Sequence, residues 1–383
     1  MPAKKLVIFG CYRDDDLYSR NRVLVGALSS CFDEAEKVRP ERLGIKGSNN
    51  YAKISGLVSS LKSALEYLKE IVSLLGQREK LQDASCVFVP YPAYFDRLVL
   101  AWLLPRKWRS LIVVDAFLCL HDTIVNDRRI AKPGSIRARF VEYLEQATLE
   151  SADVVLIDTE MQKAHLVKQY SISANKILVV PAGINEEMWM PIEAPKLTSR
   201  IEVLFYGTFI PLHGVETIVT AAQILEDMGE NFRITLVGTG QTADVVASDL
   251  KARAISSIEW RREVLDQKEV QAMVKSSHCV LGVFGDSRKA GNVIPYKAHQ
   301  ALASNQILIT RSGAAMSALT EGREIPGLIL IPSNDPRALA DAIVRVRKNY
   351  SVLRRDCKTN DLYSMKLSSQ VILRILRKVG ELA

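Results

Sequence analysis

The chain has 383 residues, a length that suits two domains of roughly 150–200 residues better than one core. Its composition is 48% hydrophobic and 25% charged, and no apolar run is long enough to cross a bilayer, which predicts a soluble protein. The net charge of +8 favours an anionic partner. Since no zinc finger, RNP-like aromatic pattern or compact basic helix is present, nucleic acid is the weakest class of partner, behind phosphorylated substrates and anionic membrane surfaces.

The N-terminal segment has lysines before an apolar stretch, but Arg13 and the acids after it interrupt that stretch, and no small-residue cleavage site follows. This segment predicts a first β-strand rather than a signal peptide. The six cysteines lack C-x-x-C spacing, so we expect no metal site and a reducing, cytoplasmic location.

Apolar, β-branched runs recur between amphipathic segments in both halves of the chain. Continuous apolar strands alternating with helices are typical of parallel sheets covered on both faces, so the sequence predicts an α/β protein with two doubly wound sheets. The predicted strands are Leu6–Phe9, Cys86–Val89, Leu111–Val114, Val154–Ile157 and Ile177–Val180 in the first half, and Ile201–Tyr206, Arg233–Val237, Ser257–Trp260, Cys279–Phe284, Ile307–Thr310 and Leu328–Ile331 in the second.

The breaker-rich segment 181–191 and the polar stretch to Arg200 predict the connection between the two domains. We therefore expect an N-terminal domain of residues 1–185 and a C-terminal domain of residues 186–360. Ligands of open α/β sheets bind at the carboxyl ends of the strands. The loops that follow the strands are therefore the places where site residues are expected.

Two loops of the second half have the features of an anion site. Residues 207–214 contain Gly207 and Gly214 and lead into a predicted helix, although an ordinary turn explains them equally well. Residues 284–303 carry Arg288 and Lys289 in a glycine-bounded loop and then begin a helix at Pro295. A lysine in the first turn of that helix, at position 297, is against the usual preference. Together, the cationic loop, the helix N-terminus and this lysine favour a diphosphate site over a merely solvated basic loop.

Asp115 ends a predicted strand of the first half, and His121 follows in the same loop. An acid or imidazole there could orient a substrate hydroxyl, take its proton, or stabilise developing positive charge. The alternative is that Asp115 caps a turn and His121 is a surface residue. A rival motif, Gly238-Thr-Gly-Gln-Thr-Ala243, matches a dinucleotide-binding fingerprint with Glu259 as the ribose-binding acid, but it follows the second strand of its sheet rather than the first.

Several stretches together resemble the retaining GT-B glycosyltransferases of family 4, in particular bacterial members that build surface polysaccharides. These stretches are VLFYGTFIPLHGVETI, LVGTG, FGDSRKAGNVIPYKAHQALA and VVPAGINEEMWMP, with YSRNRVLVGAL, VVDAFLCLHDT and SADVVLIDTE in the first half. The resemblance implies two Rossmann-like domains that face a central cleft, no required metal or other cofactor, and a C-terminal helix, residues 361–383, that packs back on the first domain.

The resemblance also implies an activity: transfer of a hexose, with glucose favoured, from a UDP-sugar rather than a GDP-sugar to a glycan or lipid-linked glycan in polysaccharide biosynthesis. Asp115 and His121 are then the candidate catalytic residues, and the loop of Gly10, Cys11 and Arg13 lies on the acceptor side, although an ordinary turn explains Gly10 as well. The implied donor-binding residues are Gly207, Thr208, His213, Gly238, Arg288, Lys289, Val293, Ile294, Lys297 and Gln300.

The sequence departs from the pattern of that family where it has Asn292 and Gln300 instead of two glutamates, and His213 instead of a phosphate-binding lysine. These departures shift the expected phosphate contacts to Arg288, Lys289 and Lys297. They also leave a catalytically degenerate nucleotide-sugar-binding protein as an alternative, and a dinucleotide-dependent oxidoreductase as a weaker one. The segment from Asp96 to Arg109 mixes apolar and basic residues, which adds a weak expectation of peripheral membrane contact at the inner face of the membrane.

Overall fold

A computed structural model describes residues 3–15, 18–40, 69–70, 72–103, 110–193, 195–263 and 265–383. The chain forms two compact units. The first comprises residues 1–183 together with 369–383, and the second comprises residues 184–368.

The first unit is built on a parallel six-stranded sheet with the order β2-β1-β3-β4-β5-β6. Its strands are β1 (Lys5–Phe9), β2 (Glu34–Val38), β3 (Cys86–Val89), β4 (Leu111–Asp115), β5 (Val154–Ile157) and β6 (Ile177–Val179). Its helices are α1 (Ser19–Ser29), α2 (Ala93–Leu103), a π-helical turn (Asp122–Asp127), α3 (Ile136–Glu150) and α4 (Glu160–Tyr170), with short 3-10 turns at Arg78–Leu81 and Ala174–Lys176.

The second unit contains another parallel six-stranded sheet, with the order β12-β11-β10-β7-β8-β9. Its strands are β7 (Ile201–Tyr206), β8 (Phe232–Val237), β9 (Ile258–Arg261), β10 (Cys279–Leu281), β11 (Leu308–Arg311) and β12 (Leu328–Ile331). Its helices are α5 (Val215–Asp227), α6 (Ala243–Arg253), α7 (Gln267–Ser276), α8 (Arg288–Asn292), α9 (Tyr296–Ala303), α10 (Ala314–Thr320), α11 (Pro336–Arg355) and α12 (Thr359–Lys366), and α13 (Ser369–Leu382) returns to the first unit.

The predicted fold class, two parallel sheets covered by helices, is confirmed. Sequence analysis did not predict β2, whose sequence EAEKV contains no apolar run. This strand lies at the edge of its sheet, and four of its five residues are exposed or half-buried. An edge strand needs little apolar surface, so its composition resembles that of a loop.

The amphipathic helix α13 packs against α1 of the first unit. Its residues Ile372, Leu376 and Val379 are fully buried and belong to the same core cluster as residues of β1 and α1. Gly183 makes this packing close, because a Cβ atom at that position would lie 3.0 Å from the Cδ1 atom of Ile372. The end of the chain is therefore part of the core of the first unit.

We predict that Leu376→Ala destabilises the protein by about 2–5 kcal/mol, because it removes a fully buried side chain and leaves a cavity. Differential scanning calorimetry measures the effect as a fall in the melting temperature. Leu382→Ala is the matched control, since Leu382 is an exposed leucine of the same helix. Similar melting temperatures for the two variants would contradict this role for α13.

Candidate functional site

The two glycine-rich loops of the second unit meet through their backbones. A Cβ atom on Gly214 would lie 2.6 Å from the amide nitrogen of Gly285, and one on Gly285 would lie 2.3 Å from the carbonyl oxygen of Pro211. The Phe284 amide donates a hydrogen bond to the His213 carbonyl at 3.0 Å. Gly214 also has a left-handed φ of 61° directly before α5, which favours glycine.

Side chains reinforce this contact between the loops. A small apolar cluster joins the 210–212 segment to α8 and the residues on either side of it, and its members are Ile210, Leu212, Val283, Ala290 and Val293. The cluster orients α8 so that Lys289 is buried, whereas Arg288 is exposed. Ile294, which follows Val293, is also buried. The predicted donor loop is therefore fixed by packing rather than extended into solvent.

Lys297 lies in the first turn of α9 and is only 5% exposed. Its Nζ atom lies 3.7 Å from the centroid of the fully buried Phe205 ring, and it has no hydrogen-bond partner among the residues that the structure describes. A Cβ atom on Gly207 would lie 3.1 Å from this Nζ and 3.2 Å from the Cε1 atom of His213. Gly207, His213 and Lys297 thus converge at the carboxyl end of β7.

Burial lowers the pKa of Lys297 well below its ordinary value, because the buried site disfavours the charged amine. The Nδ1 atom of His213 makes a short contact with the carbonyl oxygen of Thr208. A carbonyl oxygen only accepts hydrogen bonds, so Nδ1 is the donor, which directs the other ring nitrogen away from Thr208. An anion placed beside Lys297 would favour protonation of the amine, and the protonated amine would then be a buried cation in contact with that anion.

Gln300 is held in place by two other side chains. The Tyr206 hydroxyl donates to its Oε1 atom at 2.9 Å, and its own Nε2 atom donates to Oε1 of Gln267 at 2.9 Å. One N–H and one oxygen lone pair of the amide remain after these bonds. Tyr206 and Gln267 were not predicted as site residues, because Gln267 lies at the start of α7 and no local motif connects it with Gln300.

The glycines of the rival dinucleotide fingerprint are explained by contacts within the protein. A Cβ atom on Gly238 would lie 2.2 Å from the carbonyl oxygen of Gly207, and one on Gly240 would lie 2.5 Å from the carbonyl oxygen of Phe209. Glu259, the proposed ribose-binding acid, makes an ion pair with Arg261 at 2.9 Å. These glycines let two neighbouring loops approach each other, so they do not leave an open cradle for a pyrophosphate.

In the first unit, Asp115 forms a buried ion pair with Arg20. The Arg20 side chain donates from Nη2 to Oδ1 at 2.8 Å and from Nε to Oδ2 at 2.9 Å, and its Nη1 group donates to the carbonyls of Val180 and Pro181. Asp115 is fully buried and Arg20 is 4% exposed. We interpret Asp115 as a counter-ion that ties β4, α1 and the 180–181 segment together, and its catalytic role stays a prediction.

The other predicted residues of the first unit are also held by carboxylates. The Asp96 side chain accepts from the Cys11 amide at 2.8 Å, and a Cβ atom on Gly10 would lie 2.5 Å from it. Arg13 donates from Nε to Asp15 at 2.7 Å. The half-buried His121 donates its backbone N–H to the buried Glu145 at 2.9 Å, a partner that no sequence motif indicated.

For the segment from Asp96 to Arg109, sequence analysis predicted a peripheral membrane contact. The described part of this segment is mainly a core helix. Asp96, Arg97, Leu100 and Leu103 of α2 are buried, and residues 104–109 lie outside the described residues. Across the described residues, no helix has both the length and the apolar character needed to span a bilayer. The same residues contain no group of three or more His, Cys, Asp or Glu side chains that could hold a metal ion.

Residues 200–349 match the family described as Glycosyl transferases group 1. The second unit therefore contains a group 1 glycosyltransferase domain. The site around Lys297 lies within this domain. The chain is also 25% identical over 145 residues to YqgM, an uncharacterized glycosyltransferase of Bacillus subtilis (strain 168), and this match covers 37% of the chain but only 38% of YqgM.

Several solved structures share the fold over most or all of the chain. Sucrose-phosphate synthase of Thermosynechococcus elongatus has a TM-score of 0.71 at 15% identity, over 99% of this chain and 98% of that one. Anabaena HepE, solved with UDP, has a TM-score of 0.68 at 9% identity, over 99% and 100%. TarM of S. aureus has a TM-score of 0.62 at 13% identity, and the match covers 81% of this chain but only 59% of TarM. The fold of the chain is GT-B.

The first prediction from this site concerns the pH dependence of stability. Above the ordinary lysine pKa of about 10.4, Lys297 is neutral in both the folded and the unfolded chain. As the pH falls below that value, the unfolded chain binds a proton that the folded chain does not, so the free energy of unfolding decreases until the lowered folded-state pKa is reached.

Lys297→Met should therefore raise the melting temperature more at about pH 7 than at about pH 10. Calorimetry at both pH values measures this difference. Lys275→Met is the matched control, because Lys275 is exposed at the end of α7. An equal gain at both pH values would show that Lys297 is not held neutral.

We also predict that Asp115→Asn lowers the free energy of unfolding by about 3–5 kcal/mol, because it leaves the Arg20 charge buried without its counter-ion. Urea denaturation measures the loss. Asp14→Asn, which breaks the more exposed pairs with Lys37 and Arg39, should cost less than about 1 kcal/mol. An Asp115→Asn protein of unchanged stability that loses sugar transfer would instead support the catalytic role.

Proposed function

We propose that the protein is a retaining, metal-independent glycosyltransferase that moves a hexose, with glucose favoured, from a UDP-sugar to a glycan or lipid-linked glycan acceptor. One observation carries the proposal: within a group 1 glycosyltransferase domain, the buried amine of Lys297 lies beside Gly207 and His213 without a partner among the described residues. The HepE complexes with UDP and with UDP-glucose, on the same fold, support the choice of donor.

The chemistry of transfer explains why such an amine is useful. Negative charge builds on the diphosphate as the glycosidic bond breaks, so an amine that is protonated beside the diphosphate stabilises the transition state more than the ground state. Lys297 is buried against the Phe205 ring at the end of β7. In a medium of low polarity, its attraction to the leaving group is stronger than in water.

Gln300 supplies the second part of the proposed donor site. Tyr206 and Gln267 fix its amide, so the remaining N–H and lone pair point in a set direction. A sugar or ribose hydroxyl can use both groups, because it is a donor and an acceptor at once. The proposal therefore needs no carboxylate at position 300.

A second candidate function is binding of nucleotide-sugars without turnover. The residues that favour it are Gln300 and His213, which bring no fixed charge where the related enzymes carry charged groups. The two functions differ in one measurable property. Both give a thermal shift with UDP-sugars, but only the transferase releases UDP in the presence of an acceptor.

We predict that UDP raises the melting temperature more than GDP does, and that the shift persists in EDTA. Lys297→Ala should weaken UDP binding and lower the turnover with saturating donor by about a hundredfold, the scale of losing one electrostatic stabiliser. Isothermal titration and a UDP-release assay measure the two effects. Lys289→Ala should act in the same direction but less strongly.

Lys275→Ala is the matched control for this experiment, because Lys275 is an exposed lysine of the same unit. If Lys297→Ala leaves both the UDP dissociation constant and the saturated rate unchanged, the phosphate site lies elsewhere. A strict magnesium requirement for binding or turnover would contradict the proposed metal independence. A UDP shift without turnover on any glycan acceptor would favour the binding protein.

A further inference from the structure

One face of α3 in the first unit is apolar and open to solvent. Ile136, Phe140 and Tyr143 are 88%, 51% and 68% exposed. Their spacing of four and three residues places them on the same side of the helix. Exposed single hydrophobic residues are common on proteins, but three large ones in successive turns of one helix form a patch that requires an explanation.

The patch extends onto the neighbouring helix α2. The Phe140 ring lies 6.5 Å from the Phe95 ring, centroid to centroid. Leu98, which follows Phe95 by three residues on α2, is 38% exposed. The opposite side of α3 is buried through Val141, Leu144 and other core residues, so the helix is anchored and its apolar outer face is rigid.

Basic residues precede this helix and lie in its first turn. Residues 128–141 contain five basic side chains and no acidic one. Four of the five are exposed, and none of these four forms an ion pair with another described residue. They are Arg129, Lys132, Arg137 and Arg139.

We infer that this surface, Ile136, Phe140 and Tyr143 with their four flanking cations, docks the first unit on an anionic lipid surface. A helix that combines an apolar stripe with basic flanks inserts the stripe at the acyl boundary and places its cations against anionic headgroups. Tyr143 suits this environment, because its ring is apolar and its hydroxyl reaches the wet interface.

Charge favours a lipid surface over a second copy of the chain. In a two-fold symmetric contact, each patch meets the same patch of the other copy. The cations of residues 129–139 would then face one another, and the next acid of the helix, Glu142, is half-buried and accepts a hydrogen bond from Gln169 at 2.9 Å. An anionic bilayer supplies the complementary charge along with an apolar layer for the three large side chains. This inference is independent of the proposed transfer reaction.

The experiment is co-sedimentation of the full-length protein with phosphatidylcholine vesicles that contain about one third phosphatidylglycerol, and with pure phosphatidylcholine vesicles. The wild type should bind the anionic vesicles, bind the neutral ones less, and dissociate as salt is raised. Arg137→Gln/Arg139→Gln and Ile136→Ser/Tyr143→Ser should each lower the partition coefficient by about tenfold or more.

The chain offers matched controls for both variants in the second unit. Lys251→Gln/Arg253→Gln removes two exposed basic residues with the same spacing from α6, and Val352→Ser/Met365→Ser removes two exposed apolar side chains. Both control proteins should bind vesicles like the wild type. Because the substituted residues are exposed, circular dichroism and melting temperature should not change.

Three outcomes would overturn the inference. The wild type fails to bind anionic vesicles, the α3 variants bind as well as the controls, or the wild type forms a dimer that Ile136→Ser/Tyr143→Ser dissociates while no protein binds vesicles. The last result, measured by analytical ultracentrifugation, would assign the patch to a second copy of the chain. UDP binding by the same variants tests the proposed function separately, since it should be unchanged in all of them.

Discussion

The candidate site depends on the burial of one amine without a counter-ion among the described residues. Lys297 lies against Phe205 because α9 begins next to the end of β7, and that position requires the neighbouring loops to approach closely. Gly207 and Gly238 permit this approach, since a side chain on either would collide with the other loop or with the lysine itself. The two glycines are therefore required mainly for contacts within the protein, and these contacts fix the position of Lys297.

The sequence predicts the parallel sheets well, because continuous apolar strands between helices have few other solutions. The same patterns point to the 207–214 and 284–303 loops. What they cannot show is the state of each side chain. The sequence shows Lys297 only as a cation near a helix N-terminus and does not show that the side chain is buried. The partners of Gln300 come from elements that are 94 and 33 residues away in the chain.

Asp115 illustrates the same limit in the first unit. Its position at the end of β4 is where a ligand-facing residue of an α/β sheet is expected. The structure instead surrounds it with Arg20, which also bonds the carbonyls of Val180 and Pro181. A carboxylate at a strand end can serve either the site or the scaffold, and only its tertiary partners decide between the two.

A histidine rather than a lysine at position 213 is compatible with the lowered pKa of Lys297. A permanent cation at that position, close to Gly207, would repel a protonated amine and lower the pKa of Lys297 further. A histidine at that position brings no permanent charge, so an anion that arrives beside Lys297 can favour protonation of the amine. The departure from the family pattern at His213 and the unpaired burial of Lys297 are then two parts of one arrangement.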